Sequence, residues 1–246
     1  MSGHSKWHNI QAKKGKADAA RGKIFTKLGR ELAVAAKGNP NPSTNSKLAD
    51  VIAKAKAANM PNDNIERSIK RAAGEMGDKD YKELTYEGYG VAGAALIITT
   101  LTDNNNRTAG DIRAIMTKHG GSLGTTGSVS YMFETKGLIV VERAPGLDED
   151  TVTEYAIEAG ADDVVTEEDV FEIYTSVAAF SEARKTLEAK GLNFLQAEIT
   201  QIPQNKITLA PDKLETFLKM LDKLDENDDV QNVYHNVERP EEEEDD

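Results

Sequence analysis

The first third of the chain has apolar residues at the spacing of amphipathic helices. A helix predicted over residues 17–37 collects its apolar side chains on one face, which comprises Ile24, Phe25, Leu28, Leu32, Ala35 and Ala36. Glycine and proline residues at 38–42 end this helix. Two more helices are predicted over 46–58 and 61–73. Three short helices with one apolar face each predict a small bundle around a shared centre.

From Tyr81 onward the pattern changes to short apolar runs that alternate with helical periods. Strands are predicted at 84–87, 94–101 and 128–133, with a helix over 107–119. The elements predicted next are a strand at 138–142, a helix at 148–159, strands at 163–166 and 170–175, a helix at 178–190 and a strand at 194–200. This β-α-β-β-α-β order is that of a ferredoxin-like domain.

The last predicted elements are a helix over 211–225 and a strand over 230–234, which cannot bury their own surfaces. Residues 80–134 lack one αβ unit, so we predict that the two stretches form one domain. The predicted fold class is α+β, with an N-terminal three-helix domain followed by two αβ domains, the third ferredoxin-like and inserted into the second. The predicted bounds are 1–78 for a basic helical domain with a mobile arm at 1–16, 79–134 plus 204–238 for the discontinuous αβ domain, 135–203 for the acidic ferredoxin-like domain and 239–246 for a disordered acidic tail.

Charge is unevenly distributed along the chain. The formal net charge is −12, yet residues 1–75 carry 15 Lys and Arg against 6 Asp and Glu, and the remainder carries 15 against 36. Such asymmetry is typical of a nucleic-acid-facing domain joined to acidic domains, although a surface charge without a function is the alternative. The chain has no cysteine and no apolar run long enough for a membrane span. We therefore expect a cytoplasmic protein without disulfides or membrane contact.

The basic residues of the first domain lie on predicted helix faces. Lys23, Lys27 and Arg30 fall opposite the apolar face of the first helix, and an aromatic residue in a basic arm suits stacking on nucleic-acid bases. The predicted nucleic-acid-binding residues are His4, Lys6, Trp7, Lys13, Lys14, Lys16, Arg21, Lys23, Lys27, Arg30, Arg67, Lys70 and Arg71. The alternative interpretation is a solvated polar face, which every amphipathic helix has.

The other short motifs are weak evidence for a nucleotide-binding or metal-binding site. Residues 88–93 match G-x-G-x-x-G but lead into a strand, so a turn between strands is a better interpretation than a dinucleotide site. Residues 103–108 resemble a calcium loop, but a helix N-cap is the simpler interpretation. The glycine-rich stretch 118–128 is interpreted as a structural turn, with contact to a nucleic-acid backbone as the alternative. We predict no catalytic residue, no metal site and no cofactor.

Several motifs together resemble the YebC/PmpR family in order along nearly the whole chain. They are residues 3–7, 21–27, 86–90, 103–108, 119–133 and 228–236. Two features depart from the family pattern: Val91-Ala92-Gly93 replaces Pro-Gly-Gly, and the basic arm around Lys13 is less dense.

The resemblance implies a cytoplasmic, non-enzymatic protein with a helical N-terminal domain and two αβ domains. Members are commonly labelled as DNA-binding transcriptional regulators. Other members, including the mitochondrial translational activator of cytochrome oxidase, resemble ribosome-associated factors, some of which assist synthesis through proline-rich stretches. The expected partner is therefore DNA, or messenger or ribosomal RNA on the ribosome. A lysine-rich surface and an aromatic arm favour RNA, and a monomer is the default expectation.

Overall fold

The structure, a computed structural model, describes residues 19–72 and 81–238. Backbone contacts divide the chain into two compact units. Unit 1 combines residues 1–78 with 135–201, and unit 2 combines residues 79–134 with 202–246. The α+β fold class predicted from the sequence is confirmed, with a helical N-terminal part followed by αβ parts.

The described elements alternate between helices and short strands after the third helix. In chain order they are α1 (Ala19–Ala36), α2 (Ser46–Ala57), α3 (Asn62–Ala72), β1 (Lys82–Tyr89), β2 (Ala95–Thr102), α4 (Asn105–Lys118), β3 (Ser122–Leu123), β4 (Phe133–Glu142), α5 (Glu149–Glu158), β5 (Asp163–Thr166), β6 (Val170–Thr175), α6 (Phe180–Ala189), β7 (Phe194–Pro203), β8 (Ile207–Thr208), α7 (Pro211–Asp225), β9 (Val230–His235) and β10 (Val237–Glu238). None of the helices in these ranges is long and apolar enough to cross a membrane.

The helices α1, α2 and α3 of unit 1 enclose one apolar centre. Its buried members are Leu28, Leu32, Ala35, Ala36, Leu48, Ala55, Met60 and Ile65. Asn45 caps α2, because its Oδ1 accepts from the Leu48 amide at 3.1 Å. Its Nδ2 also donates to the Ala35 carbonyl at 2.7 Å, which ties α2 to the end of α1. The predicted inward face is confirmed except at Ile24, which is 44 % exposed.

The ferredoxin-like part of unit 1 is a four-stranded sheet in the order β5-β6-β4-β7. α5 and α6 cover one face, where the buried core includes Ile139, Phe171 and Ile173. The alternate residues Leu138 and Val140 point to the other face and are also fully buried. Because residues of β4 are buried on both faces of the sheet, the strand is a continuous apolar run in the sequence.

Unit 2 contains an antiparallel sheet in the order β3-β1-β2-β9. α4 and α7 cover one face through a core that includes Ile98, Ile112 and Phe217. The other face of β2 packs under Val129 and Phe133. The sheet therefore needs β9 and α7, which come from the end of the chain, to be complete.

The strand predicted at 128–133 is wrong for most of its length. Residues Ser130–Met132 form a 3-10 turn, and β4 begins only at Phe133. The amides of Val129 and Ser130 donate to the carboxylate of Glu87 and are therefore unavailable to a strand ladder. The short strands β3, β8 and β10 were not predicted, because two residues give no periodicity.

Candidate nucleic-acid interface

The cationic side chains of α1 follow the predicted stripe with different degrees of exposure. Lys23 is exposed, whereas Lys27 and Arg30 are half-buried. Lys37, one residue after the helix, is exposed. A partly exposed lysine or arginine can bury its alkyl stem against the helix while it presents its charged head to solvent. The structure thus keeps this stripe, with its two ends most accessible.

α3 carries a second and more exposed set of cations. Arg67, Lys70 and Arg71 are all exposed, and the latter two lie in the last turn of the helix. The Nζ of Lys70 lies 4.0 Å from the Oε2 of Glu66, and both side chains remain more than half exposed. An ion pair of this kind is weak, so it does not withdraw Lys70 from other partners.

α1 and α3 are adjacent in the bundle. A Cβ at Gly29 of α1 would lie 3.3 Å from the Oγ of Ser68 on α3, so the two helices approach closely there. Close approach at a glycine brings the side chains that flank it on the two helices together. The cations of α1 and α3 therefore lie on two helices that pack against each other.

One face of α2 is occupied by contacts with the ferredoxin-like part of the same unit. Asp50 accepts a hydrogen bond from the Nε of Arg184 at 2.9 Å and another from the hydroxyl of Ser181. Lys54 lies between two carboxylates, 3.0 Å from Glu31 and 3.3 Å from Glu198. Because these groups satisfy one another, this face of α2 is not part of the candidate interface.

Two exposed lysines of α2 were not among the predicted site residues. Lys47 and Lys56 lie near the two ends of α2 and are exposed. The sequence could have predicted both, because helical phase places them away from the buried Leu48 and Ala55. They extend the basic character of the bundle beyond α1 and α3.

Part of the predicted site lies outside the described residues. This part comprises His4, Lys6, Trp7, Lys13, Lys14 and Lys16. Arg21 lies in α1, but its side chain is also outside the description. The structure places the other predicted residues on α1 and α3, which pack against each other, and their binding role remains a prediction.

The turn at 88–93 joins two antiparallel strands, as expected from the sequence. β1 and β2 pair along their length, and the Gly90 amide donates to the Ala94 carbonyl at 2.7 Å across the turn. Ala92 and Gly93 adopt positive φ of 55° and 79°. These glycines lead into the strand β2 and not into an α-helix, so the geometry of a dinucleotide fingerprint is missing here.

The segment 103–108 begins α4, which confirms the predicted N-cap. The Oδ1 of Asn104 accepts from the Arg107 amide at 3.1 Å. Arg107 turns to the buried carboxylate of Asp229, 2.7 Å away, and also to Asp103. The hydrogen bond to Asp229 has the largest effect on the pKa of Arg107, and together the two hydrogen bonds raise it. Within residues 19–72 and 81–238, no group of three or more His, Asp or Glu side chains is placed to hold a metal ion.

The glycine-rich stretch near 118–128 is shaped by a buried carboxylate on β1. Glu87 is 6 % exposed and accepts from the amides of Gly127, Val129 and Ser130 at 2.7–2.8 Å. Burial alone would raise the pKa of Glu87, but these three amides outweigh it and hold the pKa below its ordinary value. Sequence reasoning did not assign this role to Glu87, because its partners lie 40 residues away and are backbone groups.

Two family descriptions match this chain over most of its length. The description "TACO1/YebC protein N-terminal domain" matches residues 5–75. The description "TACO1/YebC second and third domain" matches residues 81–237. The two matches together cover the helical bundle, the ferredoxin-like part and the sheet of unit 2.

Similar proteins have been named in other bacteria. A probable transcriptional regulatory protein of Clostridium tetani is 57 % identical over 243 residues, which cover 98 % of this chain and 99 % of that protein. Another of the same name from Clostridium botulinum is 57 % identical and covers 98 % of each chain. The crystal structure of a conserved hypothetical protein from Aquifex aeolicus matches with a TM-score of 0.83 and 45 % identity, covering 93 % of this chain and 95 % of that one.

Proposed function

Since this chain belongs to the TACO1/YebC family, we propose that it is a non-enzymatic regulator of gene expression that binds nucleic acid through α1 and α3 of its helical bundle. The names of its relatives support regulation of transcription, and hence DNA as the nucleic acid and the cytoplasm as the site of action.

The observation that carries this proposal is the exposed cationic set on two adjacent helices. Arg67, Lys70 and Arg71 on α3 lie in the same bundle as Lys23 and its neighbours on α1. Lysine and arginine at the surface bind phosphates by releasing condensed counterions, so their contribution falls as salt rises. The acidic remainder of the chain repels a polyanion and limits its contact to this part of the molecule.

The test is a charge reversal on α3, with binding of a labelled duplex measured by fluorescence anisotropy over a series of salt concentrations. In the Arg67→Glu, Lys70→Glu, Arg71→Glu variant we expect affinity to fall at least about tenfold and the salt slope to decrease by about 2 to 3, since each phosphate contact contributes roughly 0.9.

A matched control places the same charge change on α7. Lys213, Lys219 and Lys223 are about half exposed and pair only with neighbouring surface acids in the described contacts. Their reversal to Glu should change the affinity by no more than about twofold, because they lie outside the proposed interface. Equal losses in the two variants would show that net charge, and not the α1–α3 surface, governs binding.

RNA on the ribosome or in a messenger is a second candidate target, supported by the charge order along α3. The first half of α3 carries the exposed acids Asp63 and Glu66, and the cations Lys70 and Arg71 lie at its end. A recognition helix in a DNA major groove uses its N-terminal residues at base edges, where acids would meet a strongly negative surface. This order suits contact with phosphates better than reading of a base sequence.

Competition separates the two targets. A duplex DNA, a single-stranded RNA and purified ribosomes are each added to the protein bound to a labelled probe. Displacement by duplex DNA at the lowest concentration would support a transcriptional role, and displacement first by RNA or ribosomes would support a translational one. No binding of any of the three to the unmodified protein would contradict the proposed function.

A further inference from the structure

Tyr131 is an exposed aromatic side chain on a turn whose backbone is held in place. It is 69 % exposed, and it is the one aromatic residue among the exposed large hydrophobic residues in the described part of the chain. It lies in the 3-10 turn Ser130–Met132, just before β4. An aromatic ring of this size is ordinarily buried or in contact with a partner, because its apolar surface is large.

The backbone on both sides of Tyr131 is fixed by buried groups. Val129 and Phe133 insert into the apolar cluster on the face of β2 that α4 and α7 do not cover. The carboxylate of Glu87 accepts from the amides of Val129 and Ser130, each at 2.8 Å. The turn therefore cannot rotate Tyr131 inward without breaking charged hydrogen bonds and exposing two core residues.

The loop before Tyr131 is held as well. Tyr89 donates its phenolic proton to the Ser128 carbonyl at 2.9 Å. Because the backbone around Tyr131 is anchored while most of its ring faces solvent, less entropy is lost when a flat ligand stacks on it.

The loop that precedes the turn has two positions that favour glycine, with exposed polar residues between them. A Cβ at Gly124 would lie 2.5 Å from the Oγ of Ser128, and Gly127 has a φ of +88°, so both positions require glycine. Between them Thr125 and Thr126 are exposed. The exposed neighbours of Tyr131 along the chain are thus hydroxyls and backbone groups, without an apolar patch.

We propose that Tyr131 and the loop 124–130 form a second nucleic-acid contact, at which an unpaired base stacks on the Tyr131 ring and the loop hydroxyls meet its polar edge. Interfaces with proteins centre on clustered apolar anchors, whereas Tyr131 is the one exposed large hydrophobic residue among the described residues of unit 2. A nucleobase needs one aromatic face and a few donors and acceptors, which this loop supplies. This inference rests on the proposed function and adds a contact in unit 2, which the basic helices of unit 1 do not provide.

The experiment compares Tyr131→Ala and Tyr131→Phe for binding to a labelled single-stranded oligonucleotide, in one RNA arm and one DNA arm. We expect Tyr131→Ala to bind about tenfold more weakly, since stacking of one base on an aromatic ring is worth roughly that in alanine substitutions. Tyr131→Phe keeps the ring and should remain within about threefold of the unmodified protein. The arm with the larger loss identifies the sugar of the preferred strand.

Two further readings separate this site from the basic helices. The slope of affinity against salt should be unchanged in Tyr131→Ala, because no phosphate contact is removed, whereas the α3 charge reversal lowers it. Affinity for a fully paired duplex should also be unchanged, because its bases are not available for stacking.

Each outcome bears on one proposal. If the unmodified protein binds single strands, the α3 reversal weakens that binding and Tyr131→Ala does not, the stacking site is overturned and the proposed function stands. If Tyr131→Ala and Tyr131→Phe lose affinity equally, the hydroxyl and not the aromatic ring of Tyr131 is responsible, and stacking is again overturned. If the unmodified protein binds duplex DNA but no single strand, the stacking site is overturned and the proposed function stands, and if it binds neither of them nor ribosomes, both proposals fail.

Discussion

The helical bundle of unit 1 and the sheet of unit 2 use charge in opposite ways. In the bundle, Arg67, Lys70 and Arg71 present their charges to solvent on the outside of a small apolar centre. In unit 2, Glu87 and Asp229 are 6 % and 4 % exposed and direct their charges at the protein's own groups. The first arrangement leaves charge for a partner, and the second uses it to fix the chain.

This difference predicts where substitutions change the fold and where they change binding. A buried carboxylate that satisfies several donors leaves them all unpaired when it is removed, which destabilises the folded state strongly. A cation on an exposed helix face contributes little to stability, because water solvates it in the folded and unfolded states alike. We therefore expect the largest losses of stability from changes at buried groups and the smallest from changes at exposed ones.

The largest loss of stability is expected for Glu87→Ala. Three backbone amides lose a charged acceptor and the loop 124–130 loses its anchor, so the free energy of unfolding should fall by about 3 kcal/mol or more. Urea unfolding measures this, and Glu83→Ala on the same strand, at an exposed position, is the control. A loss no larger than that of the control would show that the amides find other acceptors.

A smaller effect is expected inside unit 1, between α2 and α6. Arg184 is 5 % exposed and donates to Asp50 and to Glu188. A double-mutant cycle with Asp50→Ala and Arg184→Ala should give a coupling energy of about 2 kcal/mol, because each single change leaves a largely buried partner unpaired. The cycle is measured by urea unfolding, and additive effects would mean that the contact does not connect the bundle with the ferredoxin-like part.

Helical periodicity was enough to predict most of the bundle and all of α7. The helix predicted over 211–225 has the observed bounds, and the inward residues of α1 were correct except for Ile24. Periodicity succeeds here because each helix buries one face and solvates the other. Ile24 differs because it lies at the edge of that face in the first turns of α1, where no described helix covers it.

Long-range polar contacts account for the parts that the sequence did not predict. The 3-10 turn before β4 depends on Glu87, which lies more than 40 residues earlier, so no local pattern around 128–133 reports it. The close contact between α1 and α3 at Gly29 and Ser68 was likewise invisible to helical phase alone. For the candidate site, the sequence identified the cations of α3, whereas the occupied face of α2 and the exposed ring of Tyr131 required coordinates.

The charge of Glu87 also predicts a dependence of stability on pH. Its folded-state pKa lies below the ordinary value of 4.5, so the folded protein binds fewer protons than the unfolded chain at acidic pH. The stabilisation from Glu87 is therefore complete above its unfolded pKa and is lost as the pH falls through the folded one. The difference in urea stability between the unmodified protein and Glu87→Gln should shrink as the pH falls through the ordinary value of 4.5 and on through the lower folded-state pKa. A constant difference over this range would contradict a lowered pKa.

The smallest effect is expected for Lys70→Gln on α3. Lys70 lies in the last turn, where a positive charge is favourable at the negative end of the helix dipole, and it pairs with Glu66 at 4.0 Å while both remain exposed. Its loss should lower the free energy of unfolding by about 0.5 kcal/mol, and about 1 M NaCl should remove most of that difference by screening. Arg67→Gln, one turn earlier on the same helix, is the control and should change stability less, because it lies farther from the helix end. A loss for Lys70→Gln that equals that for Glu87→Ala, or that persists in high salt, would show that the bundle also uses its surface charge to fix the chain, and the contrast between the two units would then disappear.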